Sequence, residues 1–98
     1  MLENFRTYQL AKQLHQQCLG LKLKYYVRDQ LERASLSVVL NLAEDSGKRS
    51  LKEKRRFYDI AMGSLREVQA VLDVYNKGKE AKVADQVGAY LFRLIENT

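Results

Sequence analysis

The densest group of charged side chains in the sequence is a run of basic residues at positions 48–56. This run holds six of the seventeen lysines and arginines of the 98-residue chain, and Glu53 is its only acidic residue. Clustered cations can neutralise phosphates, and the release of counterions then makes binding sensitive to salt. The alternative interpretation is a solvated helix start that keeps the protein soluble. The candidate nucleic-acid contacts are Lys48, Arg49, Lys52, Arg55 and Arg56.

A polar stripe precedes this run. Helical residues advance by about 100° each, so one narrow helix face carries four polar side chains. These side chains are Arg33, Ser37, Asn41 and Glu44. Arg33 and Glu44 lie too far apart to pair within the helix, and we expect their partners on another helix or another subunit. Because buried polar groups must be hydrogen-bonded, the stripe either selects one docking partner or is an exposed strip between two helix contacts.

The helix that carries the polar stripe is apolar on nearly two sides. Leu36, Val39 and Leu40 cover much of the surface outside its main apolar stripe. A surface helix of a small monomer normally has one apolar face and one polar face. We therefore expect one side to be buried in the fold and the other to lie against a partner. The candidate oligomer or partner contacts are Arg33, Leu36, Leu40, Asn41 and Glu44.

Two adjacent tyrosines form a smaller cluster with basic residues. Tyr25 and Tyr26 lie between Lys22, Lys24 and Arg28. Aromatic side chains among cations can stack on unpaired bases. Tyrosines in such a position are more often residues at the edge of the core, and we favour that interpretation here.

The residues of catalytic and metal-binding sites are missing. His15 and Cys18 are the only histidine and the only cysteine, too few for a zinc site or for the Glu-x-x-His pairs of a di-iron bundle. No glycine-rich phosphate loop and no nucleophile–histidine constellation is recognisable. We interpret Cys18 as a small buried hydrophobe and His15 as an exposed or partly buried residue without a functional role. We predict a protein that is not an enzyme and has no cofactor, no metal and no small-molecule substrate.

Composition limits the remaining classes. The net charge of +5 permits polyanion binding without proving it. A single cysteine gives no sign of a secreted disulfide scaffold. No apolar run approaches the ~20 residues of a membrane span, and the amino-terminal residues lack an apolar signal core. We expect a cytoplasmic protein that does not enter a membrane.

Four amphipathic helices are predicted to position these residues. Proline is absent and glycines number five, which is typical of long uninterrupted helices. The expected ranges are about 4–21, 26–45, 51–76 and 80–98, with Asn4 as the first N-cap and Gly47 and residues 76–78 as stops. Ser50 and Glu53 form a capping box before the third helix. Short connections predict one antiparallel up-down-up-down four-helix bundle, an all-α domain over residues 1–98.

Apolar residues at spacings of three and four predict the buried stripe of each helix. Gly63 lies in the middle of the third helix, where we expect it to permit close approach of a neighbouring helix. The four predicted stripes are Phe5, Tyr8, Ala11, Leu14, Cys18 and Leu21; Val27, Leu31, Ala34, Val38 and Leu42; Phe57, Ile60, Ala61, Ser64, Val68, Val71, Leu72 and Tyr75; and Val83, Val87, Tyr90, Leu91 and Leu94.

Several short motifs, taken in order, resemble a known family. They are Tyr8 with Ala11, Gln30-Leu-Glu-Arg-Ala34, Ser37-Val38, Asn41-Leu-Ala-Glu44, Gly47-Lys-Arg-Ser50, Glu53, Phe57 and Ala61-Met-Gly-Ser-Leu-Arg-Glu67. Together they are similar to the bacterial four-helix bundle proteins encoded in intervening sequences of large-subunit ribosomal RNA genes. The resemblance covers essentially the whole chain. The prolines that the family usually has before and within the second helix are missing, so we expect a straighter second helix.

The resemblance implies an assembly and a partner. Family members are similar to the accessory variability protein of diversity-generating retroelements, a four-helix bundle that forms ring-like pentamers with a basic surface and works with a reverse transcriptase and RNA. By resemblance, the expected function is a homo-oligomeric, pentameric module that binds RNA or another nucleic acid. By the same resemblance, Arg33, Asn41, Glu44, Lys48 and Arg49 occupy characteristic polar positions. The alternative is a protein-interaction scaffold, such as a reverse-transcriptase accessory protein, with no direct nucleic-acid role.

Overall fold

The computed structural model describes residues 5–44 and 50–98, and within them the chain forms four α-helices and no strand. The helices are α1 (Phe5–Leu19), α2 (Tyr25–Ala43), α3 (Leu51–Val74) and α4 (Gly78–Glu96). Each helix packs against the next in the chain, and α4 packs against α1, which closes the bundle. The predicted all-α, antiparallel up-down-up-down four-helix bundle is therefore confirmed. Asn4 and Gly47, the predicted cap and stop, lie outside the described residues.

The start of α3 is fixed by a local cap. The backbone N–H of Glu53 donates to Ser50 Oγ at 3.2 Å, and Ser50 has the extended backbone of an N-cap residue. This bond satisfies one of the amide groups that the first turn of a helix leaves without a partner. The serine half of the predicted capping box is confirmed.

Replacing Ser50 by alanine is expected to lower the free energy of unfolding by about 1 kcal/mol, because the Glu53 amide loses its acceptor. Urea denaturation followed by circular dichroism measures this change. The Ser50→Asp variant is the control, since aspartate caps helices as well as serine does. Equal losses in both variants would contradict the capping role.

The end of α3 is a left-handed turn at Asn76. Asn76 has φ of 57°, and the N–H of Lys77 donates to the carbonyl oxygen of Leu72 at 2.8 Å. This is the Schellman pattern that satisfies the last carbonyl groups of a helix. The third helix therefore stops where the sequence predicted, and Asn76 makes the turn. The fourth helix begins at Gly78, two residues earlier than expected.

The buried face of α2 agrees with its predicted stripe. All five predicted residues are at most 6% exposed, and all of them except Val27 join one core with residues of the other three helices. Val39 is also buried, whereas Leu36 and Leu40 are 41% and 53% exposed. α2 therefore buries one broad apolar face and leaves two leucines on the opposite side.

The predicted stripe of α3 is displaced from the true buried face. Tyr58 and Leu65 are almost fully buried but were not in the stripe, while Ile60 and Tyr75 are 41% and 38% exposed. Apolar residues flank the stripe on both sides, so spacing alone does not locate its centre. The close approach expected at Gly63 is wrong, since a Cβ built there meets nothing within 4 Å.

The predicted buried stripes of α1 and α4 are confirmed near the middle of each stripe. Ala11, Leu14 and Cys18 are fully buried in α1, as are Val87 and Leu91 in α4. The residue at the first position of α1, Phe5, is 50% exposed against expectation. No earlier turn of α1 lies in the described chain to pack beside it.

Candidate nucleic-acid interface

Three exposed cations lie together on the first two turns of α3. Lys52, Arg55 and Arg56 are three and four residues apart, a spacing that makes them neighbours on a helix surface. With Asp59 and Ile60 they line a shallow groove of about 470 Å³. Among the described residues, none of the three cations forms a salt bridge. The groove thus presents three positive charges and one carboxylate to solvent.

The structure brings together three of the five predicted nucleic-acid contacts. Lys48 and Arg49 lie outside the described residues. The guanidinium of Arg56 lies 5.8 Å from the centroid of the Phe57 ring, within the range of a cation–π contact. This contact restrains the Arg56 side chain without neutralising its charge, so the cation stays available to a phosphate.

The predicted polar stripe of α2 divides into a half-buried seam against α3 and an exposed part. Ser37 Oγ lies 2.7 Å from Ser64 Oγ, and this hydrogen bond joins α2 to α3. The Asn41 amide donates to the Ser37 carbonyl oxygen at 2.8 Å and to Ser37 Oγ at 3.2 Å. Ser37 therefore links α2 to α3, and Asn41 holds Ser37 in place from within α2. This agrees with the interpretation of the stripe as a surface that docks on another helix.

The remaining two residues of the stripe are exposed. Arg33 forms a salt bridge with Asp29, one turn earlier in α2, at 3.2 Å. The expectation that Arg33 finds its partner on another helix or subunit is wrong for this ion pair, because the (i, i+4) spacing supplies a carboxylate locally. Such an exposed pair contributes little to stability. Glu44 is exposed at the C-cap of α2.

An exposed apolar patch lies beside the Ser37–Ser64 seam. Leu36, Leu40 and Ile60 are between 41% and 53% exposed. Leu40 lies three residues after Ser37, and Ile60 lies four residues before Ser64. Because α2 and α3 are antiparallel and rise ~1.5 Å per residue, these two apolar side chains are nearly level along the bundle. Leu36 and Leu40 belong to the side of α2 that the sequence assigned to a partner, and Ile60 of α3 extends this apolar patch.

The two tyrosines at the start of α2 are not residues of the core edge. Tyr25 and Tyr26 are 76% and 63% exposed, so the interpretation favoured from the sequence is wrong. The nearest buried residue in α2 is Val27, and the first turn of the helix directs both rings to solvent. Lys24 and Arg28, also exposed, flank them.

A groove that the sequence did not indicate lies between α1 and α4. Its volume is about 560 Å³, and Arg6, Tyr90 and Arg93 lie at one end. The Arg6 Nη1 atom donates to the Tyr90 hydroxyl oxygen at 3.3 Å. Both guanidinium groups lie within 6 Å of the Tyr90 ring centroid, at 5.9 Å for Arg6 and 5.7 Å for Arg93. Only the pairing of α1 with α4 brings these distant residues together.

The family model for the 23S rRNA-intervening sequence protein matches residues 3–87. The chain belongs to the 23S rRNA-intervening sequence protein family. The match covers the basic segment, the polar stripe and most of the bundle, which confirms the family resemblance. No curated protein and no solved structure matches the chain.

The buried side chains of this family member include a serine hydrogen-bonded to the only histidine. His15 Nδ1 lies 2.7 Å from Ser35 Oγ, and the Ser35 hydroxyl donates to the Glu32 carbonyl oxygen at 3.2 Å. Ser35 is fully buried and His15 is half-buried, so the pair joins α1 to α2 with the serine inside the bundle. Across residues 5–44 and 50–98, no three potential ligands gather to hold a metal ion. In the same ranges, no helix is long and apolar enough to cross a bilayer.

Cys18 is a buried thiol, as the sequence predicted. Burial, with a smaller contribution from the Glu80 carboxylate, raises its pKa from 9.0 to about 11. The thiolate is the reactive form of cysteine. We expect Cys18 in the folded family member to react with an aromatic disulfide reagent at about pH 8 at least ~100-fold more slowly than in denaturant. Equal rates in the two states would contradict its burial.

The raised pKa of Cys18 also predicts a loss of stability in alkali. The folded protein holds the thiol proton more tightly than the unfolded chain, so this stabilisation is complete below the unfolded pKa near 9.0 and disappears as the pH rises through about 11. As the pH rises from 9.0 to about 11, the free energy of unfolding should fall less for the Cys18→Ala variant than for the wild type, because the variant lacks the titrating thiol. Urea denaturation at several pH values measures this difference.

Proposed function

We propose that this protein is a non-enzymatic, homo-oligomeric module that binds RNA through the cations at the start of α3. The observation that supports this most is the placement of Lys52, Arg55 and Arg56 on one exposed face without a carboxylate partner among the described residues. Cations without partners can meet phosphates without first breaking an ion pair. Lys48 and Arg49 precede these residues in the sequence and belong to the same basic run.

Assembly is part of the proposal because one subunit offers few contacts. Three phosphate contacts bind weakly at physiological salt, whereas several copies on one RNA act through a high effective concentration. The two exposed leucines of the apolar patch, Leu36 and Leu40, are the surface that we assign to subunit contact, since Ile60 also borders the α3 groove. The family resemblance suggests five subunits in a ring.

Fluorescence anisotropy with labelled structured RNAs of unrelated sequence tests the RNA-binding role. The logarithm of the association constant should fall linearly with the logarithm of the salt concentration, because binding releases counterions. Affinities for the unrelated RNAs should be similar, since phosphate contacts carry no sequence information. Binding that is independent of salt would contradict a phosphate-based interface.

A protein-interaction scaffold is the second candidate function, and the exposure of Leu36 and Leu40 favours it. In this alternative the apolar patch receives a protein such as a reverse transcriptase, and positive charge only steers the encounter. Purification without nuclease separates the two functions. Co-purified nucleic acid that is released by salt favours the RNA-binding module, whereas a clean assembly favours the scaffold.

A further inference from the structure

The groove between α1 and α4 is built from two facing helix surfaces. Each helix contributes residues at positions i, i+3, i+4 and i+7, which share one helix face. The groove volume of about 560 Å³ is typical of sites for small ligands. The lining residues are Arg6, Gln9, Leu10 and Gln13 from α1, and Gln86, Ala89, Tyr90 and Arg93 from α4.

One end of this groove concentrates positive charge. Arg6 and Arg93 both approach the Tyr90 ring, and no acidic residue is among those that line the groove. Neither arginine forms a salt bridge with any described residue. Arg6 gives one donor to the Tyr90 hydroxyl, and the other guanidinium donors remain for a ligand. Two guanidinium groups held beside the same ring can supply several donors to the oxygens of a phosphate.

The rest of the groove is neutral and suited to a planar polar group. Half-buried Leu10 and small Ala89 provide an apolar surface, and three glutamines surround it. Amide side chains can both donate to and accept from the edge of a nucleobase. Gln13 lies seven residues after Arg6, or ~10 Å along α1, so the amide section is displaced from the charged end. An acidic peptide would find no second positive charge there.

We propose that the α1–α4 groove binds a nucleotide, with its phosphate on Arg6 and Arg93 and its base over Leu10 and Ala89. A free mononucleotide and the phosphorylated end of a single-stranded RNA both supply this chemistry. The groove lies across the bundle from the α2–α3 seam, because the helix contacts run from α1 through α2, α3 and α4 back to α1. Nucleotide binding here is therefore independent of the α3 cations.

Calorimetric titrations at low ionic strength, with AMP, adenosine and inorganic phosphate, test the nucleotide site. AMP should bind at least about tenfold more tightly than adenosine or phosphate, because only AMP uses both sections of the groove. Adenosine or phosphate binding as tightly as AMP, or no binding of AMP, would overturn the proposal.

Two variants assign the binding to the groove. The double variant Arg6→Gln with Arg93→Gln should raise the Kd for AMP at least about tenfold, since it removes the charge-assisted hydrogen bonds to phosphate. Lys12→Gln with Arg66→Gln removes the same charge from exposed positions outside the groove and should leave the Kd unchanged. Ala89→Phe keeps both arginines but fills the base section, and it should also weaken AMP binding. Equal losses in the Lys12 and Arg66 control would overturn the site.

A 5′-phosphorylated RNA tetranucleotide distinguishes the two sources of the ligand. Tighter binding of the tetranucleotide than of AMP identifies an RNA end, whereas tighter binding of AMP identifies a free nucleotide, and either result supports the site. AMP binding should persist when Arg55 and Arg56 are both changed to glutamate. Loss of AMP binding in that variant would contradict an independent groove.

Discussion

Reversing the charge of Arg55 and Arg56 together is expected to weaken RNA binding at least about tenfold at low salt. The variant Arg55→Glu with Arg56→Glu turns two cations of the α3 groove, neither of which forms a salt bridge with a described residue, into anions that repel phosphate. Glutamates near the start of a helix are compatible with the helix dipole, so the fold should persist. Fluorescence anisotropy against two unrelated RNAs should show similar losses for both, because the lost contacts are to the backbone.

The salt dependence should change together with the affinity. Each lost phosphate contact lowers the slope of log K against log salt by about 0.7 to 0.9, so two contacts per subunit flatten it measurably. The control is Lys12→Glu with Arg66→Glu, which makes the same change in net charge at exposed sites elsewhere. Unchanged affinity of the Arg55 and Arg56 variant in low salt would show that the assigned site is wrong.

Placing a charge in the exposed apolar patch is expected to disperse the proposed oligomer. Leu40 is 53% exposed in the single chain and lies level with Ile60 across the α2–α3 seam. In the Leu40→Asp variant, a subunit contact over this patch would bury an unpaired carboxylate, at a cost of at least ~2 kcal/mol per interface. Sedimentation velocity should then show smaller species at concentrations where the wild type is assembled.

Phe92→Asp is the matched control for this change. Phe92 on α4 is 54% exposed, so the same charge enters an equally open apolar position away from the patch. The control should keep the assembly of the wild type, and both variants should keep their helical circular dichroism. Dispersal in both variants, or in neither, would show that the patch is not the subunit interface.

The parts of the fold that depend on local chemistry could be predicted from the sequence. The α2 stripe is a clean repeat of apolar residues at spacings of three and four, and all of it is buried. The Ser50 cap needs only groups three residues apart, and it forms as expected. The salt bridge between Arg33 and Asp29 also depends only on local spacing, because Asp29 lies one turn before Arg33. This ion pair was not predicted from the sequence.

The parts of the fold that depend on helix packing could not be predicted from the sequence. Around Tyr58 and Leu65, apolar residues continue on both sides of the stripe, and only the positions of α2 and α4 decide which side is buried. The Arg6–Tyr90 contact joins residues 84 positions apart, and its geometry depends on the register of α1 against α4. No pattern within either helix fixes that register.

Light scattering at low and high salt, with nucleic-acid absorbance followed on the same peak, is the most direct test of the RNA-binding assembly. We predict an oligomer of about five subunits, the number that the family resemblance suggests, that keeps its mass at high salt while it releases bound nucleic acid, since apolar contacts resist salt and phosphate contacts do not. A monomer without nucleic acid at both salt concentrations would contradict the account.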